Sequence, residues 1–237
     1  KFLVLLAVLM AAFFLFQWIR GFFADDVAAR IADEEPFSIR FSVQKDEEGP
    51  LLSFARLMLY PAENKAVFYF LNTGSHYPDE EENISTLSAF SADRFRQWVG
   101  SGADYNLYFT EKNMGRFIDF LGGMHIFLPQ PVVIKDARYQ YPHGIQFLSG
   151  HQAMEFSHGA IPLERGSDHL AQMDRLFRTE SIVLNLLWQL PEKQEFLEGD
   201  GVIPFLYSLA ETDLTTEEFG SLLMYFATEE ELDVFAL

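Results

Sequence analysis

The chain has 237 residues, of which 49% are hydrophobic and 16% aromatic, so its composition excludes a disordered protein and favours a packed domain. Its formal net charge of −18 argues against nucleic-acid binding, and any anionic ligand must be met by a local cluster of basic side chains. The lack of cysteine excludes disulfides and thiolate metal sites.

The first twenty residues form an apolar segment, KFLVLLAVLMAAFFLFQWIR, which Gln17 interrupts. A helix needs roughly 17–25 apolar residues to span a bilayer, and the segment reaches that length. We favour an uncleaved anchor over a cleaved signal peptide, because no clear small-residue cleavage site follows. The prediction is a single-pass protein of the cytoplasmic membrane, with a transmembrane anchor at residues 1–20, a linker or juxtamembrane helix at residues 21–36, and an extracytoplasmic domain at residues 37–237.

Strands and helices alternate along the globular part. Apolar alternation predicts strands at residues 37–43, 51–60, 66–71, 104–109 and 124–128. Helical spacing predicts helices at residues 85–99, 115–121, 172–190, 201–210 and 215–227. Thr110 or Asn113 is expected to cap the second of these helices, and Thr215 the last. This order predicts an α/β fold with a mixed central sheet flanked by helices in α-β-α layers.

The predicted helix from Gln172 carries two arginines that suit an anion. Its apolar stripe is predicted to consist of Met173, Leu176, Phe177, Val183, Leu184 and Leu187. Arg175, Arg178 and Thr179 fall on the other side. Guanidiniums three residues apart can converge on a phosphate or pyrophosphate. The structural alternative is a solvated helix face with two exposed arginines.

Four motifs, in order and at similar spacing, resemble those of LytR–CpsA–Psr proteins. They are FTEKNMGRFIDFLGGM at residues 109–124, GHQAMEF at residues 150–156, RLFR at residues 175–178, and TDLT at residues 212–215. The resemblance implies an extracytoplasmic α/β domain that binds a polyprenyl-pyrophosphate carrier, with the lipid tail in an apolar pocket. It also implies, for active members, transfer of a glycopolymer from that carrier to peptidoglycan with the help of Mg²⁺, acidic residues and arginines.

Three segments depart from the family pattern. Residues 50–53 (PLLS) stand where the family has Arg-Thr-Asp-Thr, and residues 72–75 (NTGS) stand where it has Pro-Arg-Asp-Thr. Residues 158–160 (HGA) replace its Arg-x-Arg. Loss of several charge-dispersing arginines at a phosphoryl site is expected to abolish the standard chemistry unless His158 and Arg165 substitute for them.

The candidate pyrophosphate contacts that match the family pattern are Arg175 and Arg178. Arg165, His158 and Thr179 complete the candidate set, because they lie nearby in sequence, although they are not family identities. Asp46 can be matched to the aspartate of the family's Gly-x-Asp element, so it is the candidate ligand for Mg²⁺. Asp46 and His158 are the candidate catalytic residues.

The sequence therefore predicts a membrane-anchored cell-envelope protein that binds a polyprenyl-(pyro)phosphate-linked glycan or another lipid phosphate. Its phosphotransferase activity is predicted to be lost or altered. One alternative is an active transferase with a rebuilt site and peptidoglycan as the acceptor, and another is a purely structural envelope scaffold. No nucleic-acid partner is expected.

Overall fold

The computed structural model describes residues 26–47, 49–71, 102–161, 168–229 and 231–236, and the side chains of residues 168–172 are not part of that description. The predicted anchor, the predicted helix at residues 85–99 and Arg165 lie outside the described residues. Among the helices that are described, none is long and apolar enough to cross a membrane.

Eight strands form two sheets in the described part of the chain. The strands are β1 (Phe37–Gln44), β2 (Leu51–Tyr60), β3 (Lys65–Leu71), β4 (Tyr105–Thr110), β5 (Met124–Leu128), β6 (Gly144–Leu148), β7 (Glu211–Thr212) and β8 (Asp233–Ala236). Six of them make a central sheet in the order β7-β4-β1-β2-β3-β8, while β5 and β6 pair separately as an antiparallel hairpin. The sheet is mixed, as predicted, because β4 runs parallel to β1 whereas β2 is antiparallel to both β1 and β3.

Seven α-helices accompany these strands in the described residues. They are α1 (Asp26–Ala32), α2 (Glu111–Phe120), α3 (Gly150–His158), α4 (Asp168–Gln189), α5 (Gln194–Leu197), α6 (Val202–Tyr207) and α7 (Thr216–Thr228). Two predicted caps are confirmed. The Thr110 side chain accepts a hydrogen bond from the Asn113 amide, and Thr215 forms a reciprocal capping box with Glu218.

The long helix α4 differs from its predicted stripe in two respects. Phe177 was expected in the apolar stripe, yet it is 61% exposed, and the buried apolar positions of the helix are Ile182, Val183 and Leu186, followed by Leu190 just after its end. The face that carries Arg178 and Thr179 was expected to be the polar side, yet these residues are only 4% and 5% exposed. The reason is that α3 packs against α4 and covers this face, which helical periodicity alone does not reveal.

Candidate functional site

Helices α2 and α3 approach each other closely enough to bring their polar side chains together. A Cβ atom built on Gly150 would lie 1.8 Å from the carbonyl oxygen of Gly115, so the two backbones touch. Asp119 of α2 accepts a hydrogen bond from the Gly150 amide at 2.7 Å, and Ser149 caps the same end of α3. The contact places side chains of both helices along one surface.

A polar cleft of about 660 Å³ lies over this pair of helices. Its charged and titratable lining residues are Lys45, Glu111, Lys112, Arg116, Asp119, Arg138, His151, Glu155 and His158. Four of the chain's 17 basic residues therefore meet in one place, although the protein as a whole carries a net charge of −18. This is the local basic cluster that an anionic ligand needs.

The carboxylates of the cleft are engaged by the protein. Glu155 accepts hydrogen bonds from the Arg138 and Tyr139 amides and from the Tyr141 hydroxyl, at 3.0–3.3 Å. By contrast, the ammonium of Lys112 and the guanidinium of Arg116 make no ion pair within the described residues. These two cations, one helical turn apart on α2, are available to a ligand.

Glu111, which is charged, and His158, which is neutral, lie side by side at one end of the cleft. The Nδ1 atom of His158 lies 3.9 Å from Oε1 of Glu111, while the Lys45 ammonium contacts the other carboxylate oxygen. The contacts with His158 and Lys45 lower the pKa of Glu111 to about 2, although burial opposes the shift. Burial lowers the pKa of His158, and Arg175 and Arg178 lower it further against the opposing effect of Glu111, so the imidazole is neutral at pH 7.

An apolar cavity of about 80 Å³ lies between the central sheet and three helices. Its lining side chains are all apolar and come from β1, β2, β3, β4, α2, α4, the residue after α4, and α7. They are Ile39, Phe41, Leu57, Phe68, Leu107, Phe109, Met114, Phe117, Val183, Leu186, Leu187, Leu190, Phe219, Leu222, Leu223 and Phe226. A cavity without polar groups accepts hydrocarbon and excludes charged groups.

A small opening of about 10 Å³, which we call the neck, lies between the apolar cavity and the polar cleft. It shares Phe41, Met114 and Val183 with the cavity, and Met154 and His158 with the cleft. Its remaining lining residues are Val43, Ser53, Ser157, Thr179 and Ile182. The three spaces therefore lie in a row, from an apolar interior through the neck to a polar surface.

The predicted phosphate contacts fall around the neck, but they are not equally available. Thr179 and His158 line it, and Arg175 lies near enough to lower the pKa of His158. Arg178 donates hydrogen bonds to the carbonyl oxygens of Phe156 and Gly159 and to the carboxylate of Asp174. At least three of its five N–H groups therefore bind the protein itself.

The predicted metal ligand lies elsewhere. Asp46 is exposed in the turn between β1 and β2, and its carbonyl oxygen accepts a hydrogen bond from the Tyr108 hydroxyl at 3.3 Å. Within the described residues, no three His, Asp or Glu side chains come together as metal ligands. Binding of Mg²⁺ therefore stays a prediction of the family resemblance.

Sequence reasoning missed Lys45, Glu111, Lys112 and Ser53 as site residues. Lys112 and Glu111 belong to the motif at residues 109–124, and Ser53 ends the departing segment at residues 50–53, so these three lie inside segments that the family resemblance singles out, whereas Lys45 does not. The missing signal was the long-range arrangement that places residues of β1 and β2 beside those of α2 and α3 around the cleft and the neck.

No protein-family model and no curated protein sequence matches the chain. Solved structures do resemble it. TagV of B. subtilis superimposes with a TM-score of 0.67 at 16% identity, over 86% of this chain and 85% of TagV. TagU of B. subtilis gives a TM-score of 0.55 at 13% identity, over 85% and 83% of the two chains. A structure of TagT bound to LI-WTA gives a TM-score of 0.64 at 10% identity, over 86% and 79%.

TagV, TagU and TagT are LytR–CpsA–Psr proteins. The resemblance predicted from the four motifs is confirmed in the structure, since the chain has the fold of these proteins along most of its length.

Proposed function

We propose that the chain is a membrane-anchored, extracytoplasmic protein of cell-envelope biogenesis. Its domain binds a glycan linked to a polyprenyl phosphate or pyrophosphate, and its phosphotransferase activity is lost or altered. The observation that carries the proposal is the row of three spaces, because an amphiphile with an apolar tail and a polar, anionic head requires this order. The tail occupies the apolar cavity, and the glycan extends into the polar cleft.

The shared fold supports this class of ligand. TagT, which has the same fold, was solved with LI-WTA, a lipid-linked wall teichoic acid. In our proposal, residues 1–20 hold the domain at the outer surface of the cytoplasmic membrane, where such carriers reside. Arg165, Arg175, His158 and Thr179 are the proposed contacts of the phosphate groups.

The position of Arg178 supports a change in activity. Phosphoryl transfer depends on cations that disperse charge in the transition state. Arg178 is buried and hydrogen-bonded to backbone carbonyl oxygens. It therefore acts on a phosphate through its positive charge at a distance, and not through a bidentate pair of hydrogen bonds. An active transferase with a rebuilt site and peptidoglycan as acceptor is the alternative, and the pairing of Glu111 with His158 favours it.

A purely structural envelope role is the other candidate, and one observation favours it. The apolar cavity measures about 80 Å³, whereas ligand pockets usually reach ~300–1,000 Å³. A long tail must therefore part the helices that line the cavity, while a scaffold protein would keep it closed.

A cavity-filling variant distinguishes the proposed lipid-binding function from a purely structural role. Leu186→Phe adds volume inside the apolar cavity, and we expect it to weaken binding of geranylgeranyl diphosphate by about tenfold or more. Leu206→Phe is the matched control, because Leu206 is fully buried on α6 and does not line the cavity. Titration of the purified full chain in detergent measures both affinities. Wild-type protein that does not bind the lipid, or equal losses in the two variants, would refute the proposed function.

A further inference from the structure

Two buried polar atoms of the neck have no hydrogen-bond partner in the part of the chain that the structure describes. The hydroxyl of Ser53 and Nδ1 of His158 are inaccessible to solvent, and neither is hydrogen-bonded to any described residue. The Glu111 carboxylate lies 3.9 Å from Nδ1, which is beyond hydrogen-bond distance. The Ser53 residue is 5% exposed, and the His158 side chain is 6% exposed. Buried polar groups are almost always paired, because an unpaired one loses its hydration without compensation. Two such atoms in one small space indicate that something else satisfies them.

The size of the neck limits the missing partner. A volume of about 10 Å³ corresponds to roughly one water-sized sphere, so a single oxygen atom fits between the lining residues. Serine donates through its hydroxyl, and a neutral histidine can donate through Nδ1–H. Both donors can therefore be directed at one oxygen acceptor.

The surroundings favour an oxygen that carries negative charge. The Glu111 carboxylate, which lies 3.9 Å from Nδ1 of His158, remains charged, but its ion pair with the Lys45 ammonium offsets that charge. Arg175 and Arg178 lie close enough to His158 to act on its proton equilibrium. Hydrogen bonds to a charged acceptor are stronger than those to a neutral one.

We propose that Ser53 and His158 form a two-donor site that binds an oxygen of the phosphate attached directly to the apolar chain of the ligand. The inference rests on the proposed function, and it assigns recognition of the first phosphate to neutral donors. Ser53 and His158 are contact residues for specificity, and the proposal requires no bond to be made or broken.

Ser157 offers a matched control for Ser53. It also lines the neck and is 1% exposed, but its hydroxyl donates to the carbonyl oxygen of Met154 at 3.2 Å. Ser53→Ala therefore removes a hydroxyl that has no partner among the described residues, whereas Ser157→Ala removes one that is already hydrogen-bonded.

The experiment compares lipids that differ in their head groups. Geranylgeraniol, its monophosphate and its diphosphate are titrated into the full chain in detergent. We expect Ser53→Ala and His158→Phe each to weaken binding of both phosphates by roughly tenfold, while the affinity for the alcohol changes less than about threefold. His158→Asn, which keeps a polar group near the Nδ1 position, should restore part of the loss. Ser157→Ala should leave all three affinities close to those of the wild type.

Stability without ligand provides a second measurement. The melting temperature of Ser53→Ala should not fall, because the hydroxyl that it removes makes no bond within the described residues. A fall would indicate a structural role and overturn the proposal. Equal affinities of the wild type for alcohol and phosphates would mean that a buried water fills the neck, and would also overturn it. Binding of no lipid at all would instead refute the proposed function, and the two-donor site with it.

Discussion

Arg178 shows how one buried cation holds the end of a helix. Its Nη2 donates to the carbonyl oxygen of Gly159 at 2.7 Å, its Nη1 donates to that of Phe156, and its Nε donates to Asp174 at 2.7 Å. The carbonyl groups at the end of α3 would otherwise lack partners in a buried place. Burial lowers the pKa of Arg178, and Asp174 opposes this shift. The arginine therefore joins α3 to α4 directly beside the neck.

Replacement of this arginine should cost stability. We expect Arg178→Ala to lower the free energy of unfolding by about 3 kcal/mol, because it removes charged hydrogen bonds and leaves a buried carbonyl unpaired. Arg175→Ala, three residues earlier on α4, is the control and should change it by less than about 1 kcal/mol. Urea denaturation of the two variants measures the difference. Equal effects would contradict the structural role of Arg178.

The site depends on the contact between helices α2 and α3. The space available for a side chain at this contact differs between its two glycines. A Cβ atom on Gly150 would lie 1.8 Å from the Gly115 carbonyl oxygen and 2.5 Å from its carbon, and these backbone atoms cannot move aside. A Cβ atom on Gly115 would meet Gly150 at 3.4 Å, which is an ordinary contact distance. The same substitution should therefore have opposite consequences at the two glycines.

Alanine at each glycine tests this asymmetry. Gly150→Ala should lower the free energy of unfolding by about 3 kcal/mol, because it forces α2 and α3 apart. Gly115→Ala should leave it unchanged or raise it by up to ~1 kcal/mol, since alanine favours a helix more than glycine does. Thermal unfolding followed by circular dichroism compares the two. A larger loss for Gly115→Ala would show that the helices meet differently.

Local patterns explain why some of this organisation was predictable. The caps at Thr110 and Thr215 depend on residues three positions apart, and both are confirmed. The hairpins of β1, β2 and β3 likewise follow from alternation and short turns. The neck could not be predicted in this way, because Ser53 and His158 are distant in sequence and line the same space only in the folded chain. For the same reason, periodicity did not show that α3 covers the side of α4 that carries Arg178.

As pH falls, the net negative charge of the molecule and the pair of Glu111 and His158 have opposite effects on the stability of the folded state. Protonation of surface carboxylates reduces the repulsion that comes with a net charge of −18, and this favours the folded state. Glu111 has the opposite effect. Its pKa is about 2 in the folded protein and ordinarily 4.5, so its contribution is complete above pH 4.5 and is lost as pH falls towards 2. His158 adds to this loss. Its pKa is lowered in the folded protein, so as pH falls below 6.5 the unfolded chain binds a proton at His158 before the folded chain does, and the folded state loses stability.

Glu111→Gln isolates the contribution of Glu111. At pH 7 the variant should have a free energy of unfolding lower than that of the wild type by on the order of 3 kcal/mol, because it lacks the stabilised carboxylate. The difference should persist down to about pH 4.5 and narrow steadily as the wild-type carboxylate takes up its proton. Urea denaturation of both proteins at pH 7, 5 and 3 measures this convergence. A difference that stays constant over the whole range would show that Glu111 acts through its shape rather than its charge. A difference that appears only below pH 4.5 would reverse the sign of the linkage and place the carboxylate in an unfavourable environment.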